Sequence, residues 1–163
     1  RPGYYAGYIA SAFILGQVLS GYFWGYVSDH VGRKPVIIAG LFSVMVFSVI
    51  FGSSTTFTMA VLSRVLLGLT NGIITTTRVL MREVCGEEHV AVGMTYLGGA
   101  MSTSVVLGAG VGGVLADPAR HYPGTFSATG LFARYPYLLP NLVGACLACV
   151  VLVLVVFCLK EEK

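Results

Sequence analysis

The sequence predicts an all-α, polytopic membrane protein with five transmembrane helices, on three observations. Hydrophobic residues make up 56% of the 163 and charged residues only 10%, and the mean hydropathy of +0.83 lies beyond the range of ordinary soluble domains. The apolar residues gather into runs long enough to cross a hydrocarbon core about 30 Å thick, which takes about 20 helical residues per crossing. The segments between the runs are short and carry most of the charge, so no length is left for a sizeable soluble domain.

The first span, 4–28, is apolar apart from Gln17 and small hydroxyls, and stops at Asp29-His30-Val31-Gly32-Arg33-Lys34-Pro35, a tight charged loop over 29–35. The second span, 36–52, is the cleanest, and the turn after it, Ser53-Ser54-Thr55-Thr56, is uncharged. The third, 57–81, is interrupted by Arg64 and Arg78 and ends in a second charged loop over 82–89. The fourth, 90–115, is rich in Gly and Ser, and the longest polar connection, 116–136, follows it with Pro118, Pro123 and Gly130 as turn residues. The fifth, 137–159, is dense in Leu, Val and Cys, tolerates Pro140 near its start, and stops at Lys160-Glu161-Glu162-Lys163.

Lys and Arg collect on one side of these spans. Arg33, Lys34, Arg82, Lys160 and Lys163 oppose Arg1, Arg120 and Arg134, which makes 29–35 and 82–89 cytosolic and 116–136 an outer loop. An odd number of spans with an outer start predicts a further helix upstream, consistent with an opening at Arg1-Pro2 without Met or a signal peptide.

Several function classes drop out. The net charge of +3 is small and the basic residues are scattered, unlike the clustered stripe that nucleic acid requires. Cys146 and Cys149 have a redox-like spacing but lie within an apolar helix, where soft packing is the plainer reading. Glu87, Glu88 and His89 are consecutive on one loop, a poor chelating geometry, so no metal site is expected. No nucleophile has a base partner and no phosphate loop is present, so neither an enzyme nor a cofactor is expected.

The third span holds the most informative pattern. Arg64, Gly68, Asn71, Thr75, Arg78 and Arg82 recur at steps of three, four or seven, one narrow stripe on a continuous helix. Polar groups at membrane depth face a bundle interior or a water-filled cavity, so the stripe reads as a cavity lining. Arg64 and Arg78 also fit snorkelling from near a helix end, and Arg82 fits pairing with Glu83, Glu87 or Glu88. Ala100, Ser104, Gly108, Gly112 and Ala116, with Gly113 beside them, form a face of small residues suited to close helix contact, as do Gly21 and Gly25 on the first span. Gln17, on that same face, is either a packing residue or a polar contact in the cavity.

Gly25, Asp29, Gly32, Arg33 and Lys34, joining two spans, resemble the signature loop of major facilitator transporters. Arg64 with Gly68 and Gly72 resembles that family's fourth-helix motif, and Gly108 to Gly113 resembles its fifth-helix antiporter motif, with Ala109 where proline is usual. Trp24 and the outer-loop pattern of Leu115, Ala116, Pro118, Tyr122, Pro123, Phe126, Ser127, Leu131, Phe132, Arg134, Tyr137, Leu139 and Pro140 resemble the zinc-induced facilitator-like branch.

This resemblance, which covers the whole chain, implies that the spans are helices two to six of a twelve-helix fold, five of the six in its N-terminal half. Helix one, the C-terminal half and the branch's cysteine and histidine motifs would lie outside the chain. The resemblance further implies proton-coupled export of a metal chelator or similar small solute, linked to zinc homeostasis, across a vacuolar or plasma membrane. Arg64 becomes the proton-coupling candidate, and Asp29, Arg33 and Lys34 the gate that meets the other half. The spans contain no Asp or Glu, so the proton acceptor is expected elsewhere. Uniport, symport and a non-transporting receptor or scaffold remain alternatives, whereas a channel lacks any filter-like segment or ring of charge.

Overall fold

The computed structural model describes residues 2–125 and 129–160; Arg1, Phe126, Ser127, Glu161, Glu162 and Lys163, invoked above, lie outside them. Among the described residues the regular structure is all helical: α1 Pro2–Val31, α2 Arg33–Gly52, α3 Phe57–Thr70, α4 Ile73–Leu115, α5 Pro118–His121, α6 Leu131–Arg134 and α7 Leu138–Cys158. Large apolar side chains point outward over most of the surface, with Tyr22 89% and Phe157 81% exposed. Such a surface is stable only against lipid.

The junctions are tighter than the charge pattern suggests. The expected loop 29–35 shrinks to a single residue, Gly32, between α1 and α2. Its φ of 112° is readily adopted only by glycine. The uncharged turn closes with Thr56, whose hydroxyl accepts from the Met59 N–H at 3.2 Å and caps α3.

The third and fourth spans depart from expectation in two ways. The third is not one helix over 57–81, because α3 stops at Thr70 and α4 starts at Ile73, leaving Asn71 and Gly72 between them. The expected loop 82–89 is not a loop, because helix runs through it on both sides of Gly86, which alone is non-helical at φ 66°, ψ 172°. Charge called for solvent there, but Arg and Glu are good helix formers and need no coil to be solvated.

The apolar helical run Phe57–Leu115 is 59 residues long, which as a straight helix would span about 88 Å, nearly three bilayer cores. It bends back at Gly86. A Cβ on Gly93 would lie 2.6 Å from the Cys85 Sγ and 3.0 Å from the Met81 Sδ, whereas residues twelve apart on a straight helix are about 18 Å apart. Among the described residues there are four apolar helical runs of crossing length, and the longest is folded in two.

α1 and α3 run side by side, with backbones touching where Gly16 meets Gly68. A Cβ at Gly16 would lie 2.5 Å from the Val65 carbonyl, and one at Gly68 would strike the Phe13 carbonyl. α2 packs between α3 and α7, burying Val36, Ile37 and Leu41, while Leu138 and Ala148 are buried on α7. The limb 87–115 is mostly exposed. Beyond it, the Asp117 N–H donates to the Pro136 carbonyl at 2.8 Å, pinning both ends of the long loop together.

Candidate functional site

Two polar regions stand out. The first is built on the α1–α2 junction, where the turn at Gly32 aims Arg33 back along α1. Its guanidinium donates to the Asp29 carboxylate at 2.6 Å, to the Ser28 hydroxyl at 2.8 Å and to both Glu83 oxygens, at 2.6 Å for the shortest contact. Glu83, in the charged segment outside the apolar spans, is held below the ordinary glutamate range by its hydrogen bonds from Arg33. Lys34 reaches the other way, donating from Nζ to the Val156 carbonyl at 2.8 Å. That carbonyl belongs to the last turn of α7, where a cation complements the helix dipole. These groups edge a cavity of about 760 Å³ shared with Leu80, Leu159 and Lys160.

The second region is Arg64, one helical turn before Gly68 on α3. Its guanidinium carbon lies 4.0 Å from the centre of the Phe51 ring, at the end of α2. Its Nε is buried without a hydrogen-bond partner. A cation over an aromatic face is attracted by the ring's quadrupole, but that contact leaves the N–H donors available. A fixed positive charge so placed favours the ionised form of any carboxylate brought near it.

The remaining sequence candidates do not converge on one stripe, because the break after Thr70 divides it. Gly68 is consumed in the contact with α1. Asn71 turns its carboxamide oxygen to the Ile73 N–H at 3.1 Å, the first amide of α4. Thr75 is half-buried and Arg78 exposed. Gln17 faces the bundle, with its Nε2 buried and unpartnered. Arg82 is exposed, and it is its neighbour Glu83 that forms an ion pair, with Arg33. Gly25, Gly108, Gly112 and Gly113 have no atom within 4 Å of a would-be Cβ, so the expected helix contact is not formed among the described residues.

Reasoning from the sequence missed Glu83 as the partner of Arg33, Phe51 under Arg64, and the role of Trp24, whose indole N–H donates to the Leu69 carbonyl at 2.7 Å. Only the last had a local signal: Asn71-Gly72 is a turn-forming dipeptide inside an apolar run. No grouping of three His, Cys, Asp or Glu side chains suited to a metal occurs among the described residues.

A sequence profile of the Major Facilitator Superfamily matches residues 3–163. The chain belongs to the Major Facilitator Superfamily. It is 41% identical over 151 residues to a probable peptide/nitrate transporter of Arabidopsis thaliana, covering 93% of this chain and 31% of the relative. It is 39% identical over 155 residues to the zinc induced facilitator 1 protein of the same plant, covering 95% and 32%. The quinolone resistance protein NorA of Staphylococcus aureus is 29% identical over 129 residues, covering 78% and 33%. The chain thus spans about a third of the length of these major facilitator relatives. No solved structure gives a significant match.

Proposed function

We propose that this chain forms most of the N-terminal half of a secondary transporter that exports a small organic solute or metal chelator in exchange for protons, by alternating access. The observation that carries the reading is Arg64, a buried arginine that no carboxylate among the described residues neutralises. A charge kept at membrane depth marks a substrate or proton pathway. In this reading Arg64 controls the protonation of a carboxylate supplied by another part of the protein, and Gln17, Asn71, Thr75 and Arg78 border the path. Asp29, Arg33 and Lys34, with Glu83, latch the cytosolic end against the other half, with Gly25 and Gly32 shaping the loop. Gly108, Gly112 and Gly113 receive a helix from outside this chain. The names of the zinc induced facilitators support a solute connected with zinc, at a vacuolar or plasma membrane.

Ala109, standing where the antiporter motif carries proline, favours a second reading as a uniporter or symporter of the same fold. The two are separated in proteoliposomes holding the full-length parent. Uptake is driven by a pH gradient and screened with zinc, a small organic zinc chelator and their complex, while lumenal pH is followed. Antiport predicts cargo movement with proton counterflow; cargo movement indifferent to the gradient overturns it and removes Arg64 from coupling. Asp29→Asn is expected to slow turnover with normal membrane abundance, and unchanged turnover would count against the latch.

A further inference from the structure

The interruption between α3 and α4 lies deep in the membrane-crossing part of the chain. The 14 residues of α3 rise about 21 Å from its outer end, which places Asn71 and Gly72 within a hydrocarbon core about 30 Å thick. Irregular backbone at that depth survives only where protein or enclosed water satisfies its polar groups. Here the partners can be traced. The Trp24 indole donates to the Leu69 carbonyl at 2.7 Å, and the Ser20 hydroxyl lies 3.2 Å from the Gly68 carbonyl. The Thr70 hydroxyl donates to the Leu66 carbonyl at 2.8 Å, and the Asn71 carboxamide accepts from the Ile73 N–H. A Cβ on Gly72 would come within 2.8 Å of the indole, so the ring sits directly on the gap. The break is therefore a supported feature, and two of its donors come from α1.

The two sides of the break are held differently. α3 is bound to α1 through the touching backbones of Gly16 and Gly68, which cannot slide without separating. The limb 73–85 rests on α2, with Ile73 against Gly40, and its far end carries Glu83 in the ion pair with Arg33. One turn past the break, the Thr76 hydroxyl is fully buried and has no hydrogen-bond partner. An unpaired buried hydroxyl disfavours the arrangement that contains it, so this limb carries a local penalty in the conformation described.

We propose that Asn71–Gly72 is the hinge on which the limb 73–85 turns against α3, and that Trp24 is the positioning residue that latches it. The proposal deepens the transport reading, since alternating access gives the motion its use. The test uses the full-length parent in lipid nanodiscs, with native cysteines replaced and spin labels at Val31 and Arg82 across the limb, or at Tyr8 and Met59 across the outer half. Trp24→Phe keeps an aromatic ring and removes the N–H. It is expected to enlarge a second population of Val31–Arg82 distances about five-fold, the shift that losing one buried hydrogen bond makes in a two-state equilibrium. Tyr8–Met59 distances should stay as they are. Asn71→Ala should act in the same direction, and carries the test should Trp24→Phe fail to insert. Unchanged Val31–Arg82 distances in the variants overturn the hinge, as do both label pairs shifting together, which would be rigid-body motion. The distances are read without cargo, so failed transport with a working hinge sinks only the transport reading.

Discussion

Small residues appear on helix surfaces in two regions and do opposite things. Gly16 and Gly68 bring α1 and α3 into backbone contact, whereas Gly108, Gly112 and Gly113 on the limb 87–115 face open space within this chain. A small-residue stripe permits close approach without supplying the partner, since helix association in lipid depends on packing quality and gains nothing from hiding apolar surface. The packed region is where helix backbones already meet. The stretch of the limb that carries Gly108, Gly112 and Gly113 is a surface of the right shape with nothing among the described residues against those glycines.

The comparison breaks or sharpens under substitution in the full-length parent. The largest effect is expected of Gly68→Val, which drives a branched side chain into the Phe13 carbonyl. It should lower stability by about 3 kcal/mol, read by thermal denaturation in detergent alongside membrane abundance, and a neutral result would mean the α1–α3 contact is looser than described. Next comes Arg64→Ala, which leaves the packed backbones alone and should reduce transport about ten-fold, the rate equivalent of roughly 1.4 kcal/mol. Arg64→Lys should fall between, and normal transport at normal abundance in both would sink the functional role. A double-mutant cycle on Arg33→Ala and Glu83→Ala should return a coupling of about 1 kcal/mol or less, since Glu83 is half exposed and solvent screens the pair. The smallest effect belongs to Gly108→Ala, within about 1 kcal/mol, because alanine suits small-residue contacts. A loss matching that of Gly68→Val would put a backbone against the bare limb as close as the one at Gly68.

Much of the fold was legible because a bilayer imposes one dominant rule. Apolar runs of crossing length, divided by charge, predicted a polytopic helical protein, and the helices lie along those runs. What escaped was how the runs are joined and interrupted. Charge marks where the chain meets water but does not demand coil, so Asp29–Pro35 and Arg82–His89 read as loops while the chain turns on Gly32 and Gly86 alone. The break after Thr70 had only the Asn71-Gly72 dipeptide to mark it, and periodicity arguments assume the helix continues. In the site, the residues of the signature loop and Arg64 stood out as charges beside or within apolar helices. Their partners did not, because Arg33 and Glu83 are 50 positions apart and nothing local links them. Phe51 is one aromatic among many on the apolar spans, and nothing local marks it as the ring under Arg64.

The one-residue junctions also determine where this chain can change in length. Adding a single residue at Gly32 or Gly86 would rotate the next helix by about 100°, turning its lipid-facing side inward. The loop 116–136 is under no such restriction: with its ends tied from Asp117 to Pro136, extra residues add only a slowly growing closure entropy. Insertions and deletions among relatives should therefore gather in that loop and be absent from both glycine turns, and an epitope tag placed at Gly124 should leave the bundle undisturbed.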